Sequence, residues 1–288
     1  AMITAGLSHP HVVRGYTVGK AFNRYYIAME LVSGQSMEQI MAERGAIPED
    51  EVIPKMLQVT EGLHAAYKVN LIHRDIKPGN ILIDHLNMAK IVDFGLALVT
   101  QGGVATAEEI WATPYYVPPE ALDGQPEDFR SDVYALCATM YHALAGKPPF
   151  TTETRNTREL SEIKKSLPPL KTVAPWLSDS ICAVIDKGMQ FLPQDRFTSY
   201  EEMLEAVQFA EDTMGVEGAA LPVHGANRAQ RRSAEPSKAI KIGVPIALGA
   251  AALLVGGYFL VTSIVASQPA DVGGGTTETP PDDTVGTV

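Results

Sequence analysis

Two short segments, each with one aspartate, decide the fold: HRDIKPGN at residues 73–80 and DFG at residues 93–95. A lone DFG triplet is weak evidence, since any medium-sized protein can contain one. The first segment is more specific, because five residue types must fall at fixed offsets. Between the two segments, the apolar runs NILID and AKIVDFG flank a turn at Asn87 and predict a small β-hairpin. The combination leaves little room for coincidence.

In these segments the sequence resembles the large catalytic lobe of the protein kinase family. The resemblance implies phosphoryl transfer from ATP to a hydroxyl, with Asp75 orienting the nucleophile and accepting its proton. It also implies that Lys77 stabilises charge on the transferring phosphate and that Asn80 and Asp93 supply hard oxygen ligands for Mg²⁺. The alternative for Asp75 and Asp93 is an ordinary turn or capping role, which the full set of motifs disfavours.

Further matches follow in the family's order. Residues 112–120, ATPYYVPPE, resemble the end of an activation segment, with PPE where the family usually has APE. The resemblance implies a buried Glu120–Arg196 ion pair and an Asp132 that holds the catalytic loop through backbone hydrogen bonds. Lys77 together with Thr113 resembles the serine/threonine branch, so Thr113 joins the predicted catalytic residues. The other residues assigned to structural support of the site are His73, Arg74, Phe94 and Gly95.

Upstream, the run YIAMELVSG resembles the strand that leads into the family's hinge. The resemblance implies that Met29 is the gatekeeper, that the backbone from Glu30 to Val32 binds adenine, and that Leu82 forms the apolar floor under the ring. Taken alone, Met29 and Leu82 are more often plain core residues, so these assignments depend on the resemblance.

A regulatory site is also predicted. In the family, an arginine at the position of Arg74 can pair with a phosphorylated activation loop. Thr100 and Thr106 lie in the intervening loop and are the predicted phosphorylation sites. The alternative is that both are ordinary solvated loop threonines.

The order of elements predicts an α+β fold. A first hairpin is expected at HVVRGYTV and YYIAMELV, and helical spacing follows at residues 37–45, 49–70, 131–146, 177–189 and 199–214. Ser131 is the predicted N-cap of the third helix, and Gly146 is expected to end it before Pro148. The resemblance implies a kinase-like fold that consists mainly of the helical large lobe, with a remnant hairpin of the small lobe.

The resemblance covers roughly residues 7–214 and begins late. A protein kinase normally opens with a glycine-rich turn, a strand lysine and a partner glutamate on the next helix. The sequence shows none of these, and AMITAGLSHPHVV corresponds to the end of that helix. We therefore expect a piece of a longer protein, with exposed edges on the first hairpin.

Composition excludes several classes. The chain has 288 residues, a formal net charge of -11 and 45% hydrophobic residues, which excludes collagen, a disulfide scaffold and a wholly disordered chain. The acidic balance argues against a nucleic-acid partner. Cys137 and Cys182 lie in apolar helical stretches and are predicted to be buried, reduced thiols. Cys137 stands where a small glycine is common in the family, which predicts a local packing change.

A membrane span is predicted near the C-terminus. Residues 242–266 contain no charged residue, and at about 1.5 Å per residue they can cross a hydrocarbon core of about 30 Å. A buried core helix is the alternative, but it would need a surrounding protein shell. Basic residues precede the span and acidic residues follow it. These flanks predict a single-pass protein of the cell membrane, with a cytoplasmic globular part and an extracytoplasmic tail.

The predicted organisation has five parts: an N-lobe remnant with hinge (1–32), a kinase C-lobe (33–214), a basic linker (215–241), a transmembrane helix (242–266) and a disordered tail (267–288). The architecture resembles bacterial receptor-type kinases of the eukaryotic-like family, which implies ATP, Mg²⁺ and protein substrates with Ser or Thr hydroxyls. Whether the chain forms a homodimer is left open, since the Gly256–Gly257 pair is too weak a signal of helix association. The alternatives are a pseudokinase scaffold and a small-molecule phosphotransferase.

Overall fold

The computed structural model describes residues 7–22, 24–94, 114–152, 154 and 156–215. These residues belong to one compact unit, residues 1–231, and a second unit, residues 232–288, lies outside the described residues. The predicted linker beyond residue 215, the membrane span and the tail therefore lie outside the description. Within the described ranges, no helix combines the length and apolar character that a membrane crossing requires.

A two-stranded antiparallel hairpin comes first, with β1 at Gly15–Ala21 and β2 at Arg24–Met29. The hairpin was predicted, but its first strand was placed too early. The backbone of residues 11–13, just before β1, does not pair with β2. It forms hydrogen bonds with Ile91 instead: the Ile91 N–H donates to the His11 carbonyl (2.9 Å), and the Val13 N–H donates to the Ile91 carbonyl (2.8 Å).

A second, three-stranded antiparallel sheet contains β3 (Gly34–Ser36), β4 (Ile81–Asp84) and β5 (Ala89–Ile91), in that order. The β4–β5 hairpin was predicted. Strand β3 was not, since GQS carries no β signal and pairs only because it lies beside β4. A Cβ at Gly34 would lie 1.9 Å from the Ile83 carbonyl oxygen, so this pairing requires glycine.

Eight helices occur in the described residues: α1 (Met37–Arg44), α2 (Glu49–Tyr67), α3 (Pro119–Leu122), α4 (Phe129–Ala145), α5 (Thr157–Lys164), α6 (Leu170–Val173), α7 (Asp179–Gly188) and α8 (Tyr200–Asp212). Helices α1, α2, α4, α7 and α8 correspond to the predicted ones. Short α3, α5 and α6 were not predicted. The chain therefore has the mixed helix and strand content that was expected.

Helix α4 lies at the centre of the core and is buried along nearly its whole length, with α2, α6 and α7 packed against it. The N-cap prediction was wrong. The cap is Asp128, whose Oδ1 accepts the Arg130 N–H (2.8 Å), and the helix starts before Ser131. Gly146 ends the helix as predicted, in the left-handed conformation with φ 68°.

Both cysteines are buried free thiols, as predicted. The predicted packing change at Cys137 has a structural counterpart on α7. A Cβ added to Gly188 would lie 2.2 Å from the Cys137 Sγ atom, so the thiol fills the space that a side chain at position 188 would need.

Candidate active site

The loop that carries Asp75 is fixed to the first turn of α4 by one buried carboxylate. Asp132 Oδ2 accepts the His73 N–H (2.8 Å) and its Oδ1 accepts the Arg74 N–H (2.7 Å). Aiming two successive N–H groups at one carboxylate requires an unusual backbone, and Arg74 accordingly has φ 67°. Burial raises the pKa of Asp132, and the donors from His73 and Arg74 oppose that shift.

The His73 ring connects this loop to the segment that carries Asp93. Its Nδ1 accepts the Asp75 N–H (3.2 Å), so its proton lies on Nε2, which donates to the Val92 carbonyl (2.8 Å). The Phe94 ring packs edge-on against the imidazole, with 4.6 Å between ring centroids. The histidine therefore sets the spacing between the two motif segments.

Asp75 lies at the surface of the loop between two polar neighbours. Lys77 Nζ donates to both of its carboxylate oxygens (2.9 and 2.7 Å). Asn80 Nδ2 donates to Asp75 Oδ2 (2.9 Å) and to the Asp75 carbonyl (2.7 Å). These contacts hold the carboxylate in one orientation while about half of its side chain, 49%, stays exposed. The exposed oxygens are accessible to a substrate hydroxyl.

Asp93 lies one residue beyond the contact between the two segments. The Val92 N–H donates to the Asn80 carbonyl (3.0 Å), and Asp93 then turns the chain with φ 66° so that Phe94 enters the core. Both side-chain hydrogen bonds of Asn80 use Nδ2, which leaves its Oδ1 as an acceptor. An amide oxygen and a carboxylate from Asp93 fit a divalent cation of the Mg²⁺ type.

No cluster of three or more His, Cys, Asp or Glu side chains suited to a metal occurs in the described part of the chain.

Two of the residues predicted to bind adenine, Glu30 and Leu82, contact Lys90 of β5. Glu30 Oε1 accepts a hydrogen bond from Lys90 Nζ (2.7 Å), which lowers the pKa of Glu30, and Leu82 pairs with Lys90 in the β4–β5 register. The Glu30 N–H is already used by the Arg14 carbonyl (2.8 Å). Met29 ends β2, and Val32 follows it in the half-buried passage to β3. Their roles toward adenine stay predictions.

A second buried cluster anchors the end of the predicted activation segment. Arg196 donates to both carboxylate oxygens of Glu120 (2.7 and 2.8 Å), as the sequence predicted. Its remaining three N–H groups donate to the carbonyls of Gln190, Arg130 and Phe191. The Ser131 hydroxyl completes the shell of Glu120 (2.8 Å). Every donor of this fully buried guanidinium is therefore satisfied.

Two charged side chains near these two clusters, Glu127 and Lys164, were missed, whereas the helical pattern around His142 predicts a structural role for it. Burial raises the pKa of Glu127 to about 7, while the Arg74 charge lowers this pKa and the Asp132 charge raises it further. His142 Nδ1 lies 2.8 Å from the Tyr116 hydroxyl, and Lys164 is buried beside Tyr115. Nothing in the sequence indicates that Glu127 and Lys164 are buried, because charged residues in loops and amphipathic helices are usually exposed.

Four predicted residues lie outside the described part of the chain: Gly95, Thr100, Thr106 and Thr113. Their assignments stay predictions.

Comparisons with known proteins agree with this geometry. The family described as "Protein kinase domain" matches residues 1–209. A probable serine/threonine-protein kinase of Clostridium perfringens is 31% identical over 205 residues, covering 71% of this chain and 30% of the relative. PrkC, a serine/threonine-protein kinase of Bacillus subtilis, is 30% identical over 213 residues, covering 74% and 33%.

A probable serine/threonine-protein kinase of Bifidobacterium longum, PknB, is 31% identical over 241 residues, covering 78% of this chain and 34% of the relative. The chain thus spans about a third of the length of these curated relatives. The family match covers well over half of the chain and includes the loop, the Asp93 turn and the Glu120–Arg196 pair. The chain belongs to the protein kinase domain family.

Proposed function

We propose that the chain is the catalytic part of a serine/threonine protein kinase, which transfers the terminal phosphate of ATP to Ser or Thr hydroxyls of proteins. One observation carries the proposal: Asp75 is held in place by Lys77 and Asn80 beside the turn at Asp93, yet remains exposed. The relatives support it, since each bears the name of a serine/threonine-protein kinase.

In the proposed reaction Asp75 orients the substrate hydroxyl and accepts its proton as the oxygen attacks phosphorus. Lys77, now on the Asp75 carboxylate, would stabilise charge on the transferring phosphate. Asn80 Oδ1 and Asp93 would hold Mg²⁺, which neutralises charge on the ATP phosphates when bound. The Glu30–Val32 backbone, Met29 and Leu82 would enclose the adenine ring.

Regulation and membrane attachment are part of the same proposal. Phosphorylation at Thr100 or Thr106 would supply an anion for Arg74, whose buried Nε atom has no hydrogen-bond partner among the described residues. The uncharged residues 242–266, with basic residues before them and acidic residues after them, support a single span with the kinase part in the cytoplasm. A deletion of residues 242–266 should release the protein from carbonate-washed membranes, whereas the intact protein should stay in the pellet.

The experiment that tests the function is Asp75→Asn in the full-length protein. We expect phosphate transfer to a Ser/Thr peptide to fall by about 10²- to 10⁴-fold, because the amide cannot accept the proton. The unfolding midpoint should stay within a few degrees of the wild type, since the side chain is half exposed. Undiminished activity in the variant would contradict the assignment. An inactive wild type that still binds ATP would indicate a pseudokinase, and phosphorylation of small alcohols alone would indicate a metabolite kinase.

A further inference from the structure

Lys164, the last residue of α5, is an ammonium group in an aromatic pocket. It is only 2% exposed. Its Nζ atom lies 4.8 Å from the centre of the Phe150 ring and 5.2 Å from that of Tyr134. Two oxygens lie within hydrogen-bond distance, each at 3.4 Å: the Tyr134 hydroxyl and the Tyr115 carbonyl. Burying an ammonium group in this way costs free energy, because the group loses its hydration shell.

No carboxylate serves as its partner among the residues that the structure describes. Glu120 contributes attraction, but Arg196 and Ser131 already occupy both of its oxygens. Arg196 repels the ammonium. The directional contacts of Lys164 are therefore one hydroxyl and one backbone carbonyl, and the carbonyl belongs to a different region of the chain.

That carbonyl lies in the segment Pro114–Val117, near the end of the predicted activation segment. The Tyr116 hydroxyl forms a hydrogen bond with His142 on α4, and the nearby Glu38 charge contributes to raising the pKa of Tyr116. The Glu38 carboxylate in turn lies against Gly79 of the catalytic loop, 3.1 Å from where a Cβ would stand. The segment is thus linked through Glu38 to the loop that carries Asp75, where the proposed function places the substrate hydroxyl.

Leu160 of α5 and Phe150 support the segment through apolar and aromatic contacts. The Tyr115 and Phe150 rings meet edge-on with 5.4 Å between their centres, and Val117 and Phe150 pack on the buried pair Leu122 and Leu160. Lys164 is the polar member of this contact, and it donates a hydrogen bond to the backbone of the segment.

We propose that Lys164 is a positioning residue: by donating to the Tyr115 carbonyl, its ammonium fixes the segment Pro114–Val117 in the conformation that binds the protein substrate. This inference rests on the proposed function. It assigns to α5 a role in substrate affinity, and none in ATP binding or in the proton transfer at Asp75.

The contact depends on pH in the physiological range. Burial and repulsion by Arg196 lower the pKa of Lys164 to about 7, against the attraction of Glu120. Among the described residues, the titratable groups that act on it are Tyr134 from α4 and Glu120 from α3, with Arg196 as the neighbouring permanent charge. Above pH 7 the ammonium becomes an amine, which is a weaker donor to a carbonyl.

The test compares Lys164→Met with the matched control Lys165→Met in the full-length protein. Lys165 is the next residue, is half exposed and pairs with Glu162 at the surface. We expect Lys164→Met to raise the KM for a peptide substrate about fivefold at pH 6.5, the effect of losing about 1 kcal/mol. The KM for ATP should stay within about twofold, and Lys165→Met should leave both constants unchanged.

The pH profile separates positioning from a general structural role. The peptide KM of the wild type should rise between pH 6 and 8, whereas that of Lys164→Met, and of Lys164→Gln with its neutral donor, should lack this step. A wild-type profile retained in both variants, or a rise in the ATP KM as large as that in the peptide KM, would overturn the proposal.

Hydrogen–deuterium exchange gives a readout that needs no activity. Lys164→Met should speed exchange of the amides at 115–117 at pH 6.5, while exchange in α4 stays as in the wild type. Unchanged exchange at 115–117 would overturn the role of Lys164 even in an active enzyme. If the wild type transfers no phosphate, the proposed function fails, and the exchange result still decides whether Lys164 holds the segment.

Discussion

Two ion pairs of equal length occupy different parts of the molecule. The Lys77–Asp75 pair and the Arg196–Glu120 pair both have a shortest N–O distance of 2.7 Å. In the first pair the lysine is 30% and the aspartate 49% exposed, whereas in the second the arginine is fully buried and the glutamate 7% exposed. Length alone therefore does not distinguish them, and burial does.

The difference in burial indicates that the Arg196–Glu120 pair stabilises the fold, whereas the Lys77–Asp75 pair is accessible to solvent and to ligands. Around Arg196 every N–H group has an acceptor, so removing one partner leaves several buried groups unpaired. Around Asp75 water can replace either partner at little cost. An exposed carboxylate that is oriented but not buried can exchange its lysine for a substrate. The predictions below test this division.

The largest effect is expected for Arg196→Met. The change leaves Glu120 buried without its counter-charge and removes the side-chain donors to three carbonyls, so the free energy of unfolding should fall by about 3–5 kcal/mol. Urea denaturation measures it. Arg130→Met, which breaks the partly exposed pair with Asp128, is the control and should cost about 1 kcal/mol or less. Equal losses in the two variants would contradict the structural role of the buried pair.

The next effect concerns the packing beneath the buried pair. Gly188→Ala places a methyl group against the Cys137 thiol, so we expect a loss of about 2 kcal/mol in the free energy of unfolding through overpacking. The double variant Cys137→Ala with Gly188→Ala should regain most of this loss, because the volume moves from one helix to the other. Additive losses in the double-mutant cycle would show that the two positions do not share one space.

A smaller effect is expected at Glu127, whose carboxylate interacts electrostatically with Arg74 of the catalytic loop and with Glu120 of the buried pair. Burial raises its folded pKa from 4.5 to about 7, so the folded state holds more protons than the unfolded state between these values. Stability should therefore fall as pH rises from 5 to 8. Relative to Glu127→Gln the fall should be roughly 1–2 kcal/mol, measured by urea denaturation at both pH values. Parallel profiles for the two proteins would contradict the shift.

The sequence predicted much of both regions, for an identifiable reason. The contacts of Asp132 and Arg196 involve motif residues at fixed offsets, and family resemblance transfers such contacts directly. Helices α2, α4 and α8 were predicted because their apolar spacing spans many residues. The N-cap at Asp128 was missed because both Asp128 and Ser131 are good caps, and only the course of the chain before α4 decides between them.

What could not be predicted depends on burial by distant elements. Lys164 lies at the end of an amphipathic helix next to an exposed lysine, and the two residues look alike in sequence. Only the aromatic rings from α4 and from Phe150 distinguish them. Glu127 likewise follows a proline in an exposed turn, and its raised pKa arises from groups on other elements. Strand β3 is too short to carry a pattern of its own.

The smallest effect on stability is expected for Lys77→Met, which breaks the exposed pair. The free energy of unfolding should change by less than about 0.5 kcal/mol, because water solvates the released carboxylate and the lysine gives up only a surface contact. Phosphate transfer in the full-length protein should nevertheless fall by about 10²-fold, since the variant lacks a cation beside the phosphate. Denaturation and peptide phosphorylation, measured on the same preparation, separate the two quantities. A loss of stability close to that of Arg196→Met would mean that the catalytic loop depends on its exposed pair for folding, and the division between the two regions would then be wrong.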